Sequence, residues 1–342
     1  MGDMRYSEVI ATPMGGFVRP TAQDPTGIRG PTAYATYGKT WRRVRRGLYI
    51  PREVDPVPVL GRPVGFGVDW LPTPVATQPE QRIAEIGAQL GFGALTGWAA
   101  LRIIGGRWFD GVGALSGQEL PVPVALDPGR SQRPIPGAQV WRSPLRSDDV
   151  LSLGGLRVVI PERAVFDEAR WPGELRRAVA VIDAALQAGF TTRDKLTAYG
   201  AERRGWRGMP VWRRALDLAS ERAESMPESA LRLMWVLDAR LPPPLVNVAV
   251  HDLSGRFMGR PDLWNATVGL VGEFDGMHHR SASQHAKDTR RTDRFRRLGL
   301  EVVTIVGPDL RDVDEVVRRL RGGYERALAT PPERRLWLMP PS

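Results

Sequence analysis

The stretch Arg260-Pro-Asp-Leu-Trp-Asn-Ala-Thr-Val-Gly-Leu-Val-Gly-Glu-Phe-Asp-Gly-Met-His-His279 decides the fold of the C-terminal part of this 342-residue chain. It reads as two strands joined by a tight turn at Asn265-Ala266. Side chains on a strand alternate faces, so Glu273 and Asp275 point the same way. With that two-residue turn, residues whose numbers sum to 531 pair, and Asp262 falls on the face of Glu273 and Asp275. A regular hairpin of this kind offsets Asp262 from Glu273 by roughly 10–14 Å. A shared site therefore needs a bend, a bulge or a splayed strand end. Three carboxylates on one face repel one another unless water, arginine or a cation satisfies them. A hard divalent cation suits such oxygens because it takes one or two carboxylates and keeps its waters. It can also generate hydroxide near neutral pH and stabilise charge on a phosphate in transfer.

Composition points to the same place. The four histidines, His251, His278, His279 and His285, all fall within residues 251–285. Histidine is the side chain suited to proton transfer and metals near neutral pH. Lysine occurs only at Lys39, Lys195 and Lys287, against 45 arginines. Lys287 stands out because its proton can be tuned by burial, whereas arginine keeps its own. A net charge of +10 favours a polyanionic partner, through release of counterions from phosphates, although plain solubility also accounts for it. The chain lacks cysteine, which excludes disulfides, thiolate metal sites and cysteine nucleophiles. A zinc site would need several histidines to converge. Neither a secretory signal nor an apolar run long enough for a membrane span is visible, so a cytoplasmic protein is expected. A phosphate-binding loop, a dinucleotide fingerprint and a serine elbow are equally lacking.

Working outward, Ser225-Met-Pro-Glu-Ser229 opens a helix, with Ser225 as cap and Pro227 in the first turn, and Pro242-Pro-Pro244 stops it. Strand-like segments follow at 245–250, 257–264 and 267–274. A polar helix over about 283–298, a strand at 301–306 and a helix near 310–320 complete a mixed sheet flanked by helices. Arg290, Arg291 and Arg294 on the polar helix are candidates for gripping a nucleic-acid backbone. Upstream, helices at 78–90, 96–104, 162–169 and 175–186 alternate with strands at 120–126, 139–142 and 156–160, the pattern of an α/β domain. Residues 203–208 read as a linker. Residues 1–32 read as an irregular arm before the basic Arg42-Arg-Val-Arg-Arg46, whose Arg42, Arg43, Arg45 and Arg46 could meet phosphates. The fold expected is α/β and multidomain: an arm with a winged-helix-like segment (1–75), an α/β middle domain (76–208) and a C-terminal mixed sheet (209–330).

Pro261-Asp262 followed by Glu273-Phe-Asp275 resembles the PD-(D/E)XK nuclease pattern. Glu273-Phe-Asp-Gly-Met-His-His279, Gln284-His-Ala-Lys-Asp-Thr-Arg-Arg291 and Leu298-Gly-Leu-Glu-Val-Val303 look more specifically like very-short-patch-repair-like endonuclease domains. Ser225-Met-Pro-Glu-Ser229 is similar to the helix that opens them. The resemblance covers residues 225–321. It implies a restriction-endonuclease-like fold with Asp262 and Glu273 as ligands of Mg²⁺ or Mn²⁺, Glu228 as a supporting ligand, and His279 as an accessory acid or base. The family lysine two residues after the glutamate is Asp275 here, so its role must pass to Lys287 or His279, or activity is lost. More weakly, Arg42–Tyr49, Thr96–Leu101 and Val159–Asp167 are similar to AbiEi-type antitoxin regions. The expected activity is metal-dependent hydrolysis of DNA phosphodiesters in repair or phage defence. The alternative is an antitoxin-like DNA-binding regulator whose nuclease fold is inactive. DNA is the expected partner, with a homodimer and a toxin partner as further candidates.

Without that resemblance, Asp262 reads as a turn acid, Glu228 as a carboxylate favourable at a helix start, and the arginine runs as solvated faces.

Overall fold

A computed structural model describes residues 19–38, 40–51, 79–106, 108–113, 118–275 and 291–339. The chain is mixed α/β and divides into two compact units, residues 1–173 with 188–212, and residues 174–187 with 213–342. No helix among the described residues is long and apolar enough to cross a membrane.

The first unit begins with the hairpin β1 (Trp41–Arg45) and β2 (Leu48–Pro51), turned at Arg46-Gly47. Thr21 forms a two-way backbone bridge to Tyr49, so part of the expected irregular arm is paired to β2. A five-stranded sheet follows, with β3 (Ala94–Leu95), β4 (Val122–Leu126), β5 (Ala138–Arg142), β6 (Val150–Leu153) and β7 (Leu156–Val159) in the order β5-β4-β3-β7-β6. Its pairs β4/β5 and β3/β7 are parallel and the other two antiparallel. Helices Pro79–Gly87, Gly97–Ile104, Pro161–Arg170 and Arg193–Ala201 belong to this unit.

One polar network is buried here. Asp167, with no exposed surface, accepts from Arg163 Nε at 2.7 Å, Arg170 Nη2 at 2.7 Å and the Thr96 hydroxyl at 2.8 Å. Arg163 also reaches Asp149, and Arg203 meets Asp149 and the Tyr199 carbonyl. The guanidinium groups of Arg163, Arg170 and Arg203 lie 4.9, 5.0 and 5.7 Å from the Trp206 ring centre. The expected linker at 203–208 is therefore a correction. Its Arg203 and Trp206 are packed into the first unit, because the polar residues that suggested solvent have buried charge partners.

The second unit is built on a four-stranded mixed sheet in the order β13-β12-β11-β8: β8 (Leu245–Val246), β11 (Leu263–Asn265), β12 (Leu270–Asp275) and β13 (Glu301–Val306). A separate small hairpin, β9 (Val250–His251) with β10 (Phe257–Gly259), interrupts what the sequence suggested as longer strands at 245–250 and 257–264. β12 runs parallel to β13 and antiparallel to β11. One sheet face presents Leu263, Leu270, Val303 and Ile305 to Leu231 and Trp235 and to Val316 and Leu320 of helix Val313–Leu328. The other presents Trp264 and Val271 to Phe295, Leu298 and Trp337.

Helix Leu175–Gln187, expected in the middle domain, belongs to this second unit. Its Asp183, 1% exposed, accepts from Arg232 Nη2 and Ser229 Oγ, both at 2.7 Å, and from the Ser220 amide at 2.6 Å. A buried carboxylate needs such partners, and they ride on helix Met226–Leu233 and the turn before it. That helix passes into a wider π turn, Met234–Asp238, with Trp235 fully buried beneath Gly272. A Cβ at Gly272 would lie 3.1 Å from the Trp235 ring.

Candidate active site

The turn between β11 and β12 sets the site. The two-residue turn expected at Asn265-Ala266 is replaced by a four-residue turn, Ala266–Gly269, and the pairs Leu263–Gly272, Trp264–Val271 and Asn265–Leu270 all sum to 535. Two local interactions enforce it. The Asn265 side chain accepts from the Val268 amide at 3.3 Å, and the Asn265 carbonyl accepts from the Gly269 amide at 2.8 Å. Gly269 has φ +87°, and a Cβ there would run into the Trp337 ring. Gly269→Ala is therefore expected to cost about 2 kcal/mol or more, from left-handed strain and overpacking together. A thermal melt beside wild type measures it.

A register shift of four residues preserves the faces, because the side-chain period is two. It also slides the partner strand by about 13 Å. The ladder ends at Leu263–Gly272, and one further step along it would set Asp262, just before β11, level with Glu273, so the offset expected from the sequence is removed. The Asp262 carboxylate accepts from the Phe274 amide at 2.7 Å, and its carbonyl from the Asn247 amide at 3.0 Å. Glu273 is 5% exposed and accepts from Arg291 Nη2 at 2.7 Å. Asp275 shares the face of Glu273 by strand alternation and is half-buried.

Glu228 enters from the helix on the far side of the sheet. As expected, Ser225 caps that helix, accepting from the Glu228 amide at 3.3 Å. The Glu228 carboxylate accepts from the Ser225 hydroxyl at 2.8 Å, the Glu224 amide at 2.9 Å and Asn247 Nδ2 at 3.1 Å. It thus serves as a helix-capping carboxylate and also acts electrostatically on Asp262. Burial, then the charge of Glu228, push the Asp262 carboxyl up from 3.8 to about 7, against the Phe274 amide and Arg291, which lower it.

Folded Asp262 keeps its proton up to about 7, whereas the unfolded carboxyl releases it near 3.8. Between those values the folded metal-free protein binds more protons than the unfolded chain, so its stability falls as pH rises through that window. The loss is on the order of 4 kcal/mol at most. A divalent cation must displace that proton, so its affinity should rise up to ~10-fold per pH unit below 7 and level off above. Thermal melts with and without Mg²⁺ between about pH 5 and 8 check both trends.

Around Asp262 lies a cavity of about 340 Å³ that Glu224, Phe257, Arg260, Arg291 and Arg294 help to line. Arg260 pairs with Glu224 at 2.6 Å. Gly259 lets β10 approach the helical residues 291–297, since a Cβ there would fall 2.7 Å from the Phe295 ring.

Several expected participants are placed differently. Arg291, expected to face a nucleic-acid backbone, is held by the buried Glu273; Arg294 is exposed and lines the cavity. His279, Lys287 and Arg290, with His278 and His285, lie outside the described residues. Among the described residues no group of three His, Cys, Asp or Glu side chains is gathered as a metal cage. Asp262 and Glu273 alone fit an ion that takes one or two carboxylates and keeps its waters. In the first unit, Arg42 is bound to Glu85 on helix Pro79–Gly87, and Arg45 donates to the Gln89 carbonyl at 3.3 Å. Arg43, Arg45 and Arg46 are exposed. Asn247 and Glu224 escaped the sequence reading. The only local signal was the polar Asn247 interrupting an apolar run, and it has φ +50° here.

The fold and this site define a mixed α/β protein with a buried glutamate, a half-buried aspartate and an arginine at the end of a mixed sheet. No protein-family model matches the chain, and no solved structure does. Over 189 residues, 54% of this chain and 67% of each relative, it is 32% identical to uncharacterized proteins MT2308 and Rv2248 of two Mycobacterium tuberculosis strains. The chain belongs to the family of these mycobacterial proteins.

Proposed function

We propose that the second unit is a metal-dependent DNA endonuclease of the restriction-endonuclease-like type, hydrolysing phosphodiesters with water activated by Mg²⁺ or Mn²⁺. The observation that carries this is the Asp262 carboxylate seated on the Phe274 amide of β12, next in the chain to Glu273 with its Arg291, at a cavity that Arg294 also lines. Asp262 and Glu273 would hold the ion, with Glu228 behind them keeping Asp262 basic. The ion would supply a hydroxide near neutral pH and stabilise charge on the phosphate. Arg291 would move from Glu273 to the phosphate when a cation takes over its neutralising role. Asp275 would orient the attacking water, and His279 or Lys287 would supply the proton transfer that the missing motif lysine leaves open. Exposed Arg43, Arg45 and Arg46 would add backbone contacts in the manner of an antitoxin-like DNA-binding segment.

A second function has specific support. Glu273 is already neutralised by Arg291, and Asp275 replaces the motif lysine, as in a fold that binds DNA without cutting it. The chain would then be an antitoxin-like regulator, as a homodimer or beside a toxin partner. Incubation of supercoiled plasmid with the full chain in Mg²⁺ or Mn²⁺ separates the two. Nicking or linearisation supports the nuclease; salt-sensitive duplex binding without any nicking supports the regulator.

A further inference from the structure

We infer that the cavity beside Asp262 receives one unpaired nucleotide of a DNA strand, its base stacked on Phe257; this rests on the DNA-processing reading of the same site. The lining is not that of a simple phosphate channel. Arg291 and Arg294 line the space, but so do Glu224 and Asp262, so its wall is mixed in charge rather than uniformly basic. Phe257 is the aromatic among the lining residues, and at 58% exposed its ring is open to a stacking base. Arginines for a phosphate, an aromatic face for a base and a Glu224–Arg260 pair able to hydrogen-bond base edges together match a nucleotide. The volume of about 340 Å³ lies at the small end of pockets that enclose a small molecule. It suits a single nucleoside rather than a stacked pair.

The platform is also held in place. Phe257 pairs with His251 across β9 and β10, and their rings meet edge to face with centres 5.9 Å apart. The turn of that hairpin is tied by Asp252, which accepts from the Ser254 amide at 2.9 Å, the Ser254 hydroxyl at 2.6 Å and the Arg256 amide at 3.0 Å. A ring on so braced a turn loses little freedom when a base stacks on it. Perfectly paired DNA cannot offer that base without first unstacking it, so the site favours a bulge, a flap or a single strand.

The test is binding of end-labelled oligonucleotides to the full chain by fluorescence anisotropy, in Ca²⁺ without Mg²⁺ or Mn²⁺. The probes are a duplex, the same duplex with a one-nucleotide bulge, and the single strand. Wild type is expected to bind the bulged and single-stranded probes about 10-fold tighter than the duplex, from the stacking of one base. Phe257→Ala should bring the three affinities within about 2-fold, while Phe257→Trp restores the preference. Equal affinities in wild type, or a preference that survives Phe257→Ala, would overturn the inference. Parallel plasmid cleavage in Mn²⁺ keeps the two proposals apart. Cleavage without a binding preference removes only the nucleotide pocket. A Phe257-dependent preference without cleavage supports the pocket and removes only the hydrolysis.

Discussion

Alanine at both Asp262 and Glu273 is expected to abolish Mg²⁺-dependent nicking of supercoiled DNA, by roughly 10³-fold or more. The size follows from what the two carboxylates would do together. Each would contribute an oxygen to one cation, and that cation would supply both the nucleophile and several kcal/mol of transition-state charge stabilisation. Their juxtaposition depends on the Ala266–Gly269 turn, since a two-residue turn would have left them about 13 Å apart along the strand. The double variant should fold, because it removes the burial penalty and the repulsion from Glu228 that lift Asp262 to about 7. Arg291 loses its partner but is about a third exposed and can turn to solvent. Initial rates of plasmid nicking, with circular dichroism as a folding check, measure the effect. Nicking by the double variant at the wild-type rate would remove this site from the chemistry.

The second large effect is on stability and lies in the first unit. Asp167→Ala should destabilise the folded state by about 3–5 kcal/mol, because it strands Arg163 and Arg170 as buried charges. Neither guanidinium has more than a sliver of exposed surface. Their remaining partners are the Ser143 hydroxyl, the Pro144 and Arg207 carbonyls, and Asp149. Those groups supply one carboxylate where two stood. The Thr96 hydroxyl loses an acceptor as well. Asp167→Asn, which keeps the shape and the Thr96 acceptor, should recover part of the loss but not the charge. Urea denaturation of the three proteins measures the difference. A midpoint for Asp167→Ala equal to wild type would show that the arginines find other acceptors at no cost.

Long periodic segments were legible in the sequence. The apolar spacing of Leu175, Ala178, Val179, Ile182 and Leu186 marks the helix observed at Leu175–Gln187, and Ser225 caps its helix as its side chain demands. What spacing could not carry was the unit to which a helix belongs. Asp183 gives Leu175–Gln187 its place through partners more than thirty residues away. The candidate carboxylates Asp262, Glu273 and Asp275 were visible as residue types on alternating strands, and their common face follows from parity alone. Their closeness was not visible. It turns on whether the chain reverses at Asn265-Ala266 or over Ala266–Gly269, a choice made by the Asn265 side chain, the left-handed Gly269 and the Trp337 ring against it. Asn265 followed by Gly269 was the available clue. Arg291 shows the same limit: its place on the helix was expected, but its bond to Glu273 depends on Gly259 letting β10 and residues 291–297 approach.

The most direct test of the shared cation is Mn²⁺ binding to the full chain, followed by isothermal titration calorimetry near pH 8 for wild type, Asp262→Asn and Glu273→Gln. One ion per chain, with affinity reduced at least ~10-fold by either substitution, is the expected result. Identical titrations for all three proteins, or an ion bound as tightly when both carboxylates are neutral, would contradict the claim that Asp262 and Glu273 hold it.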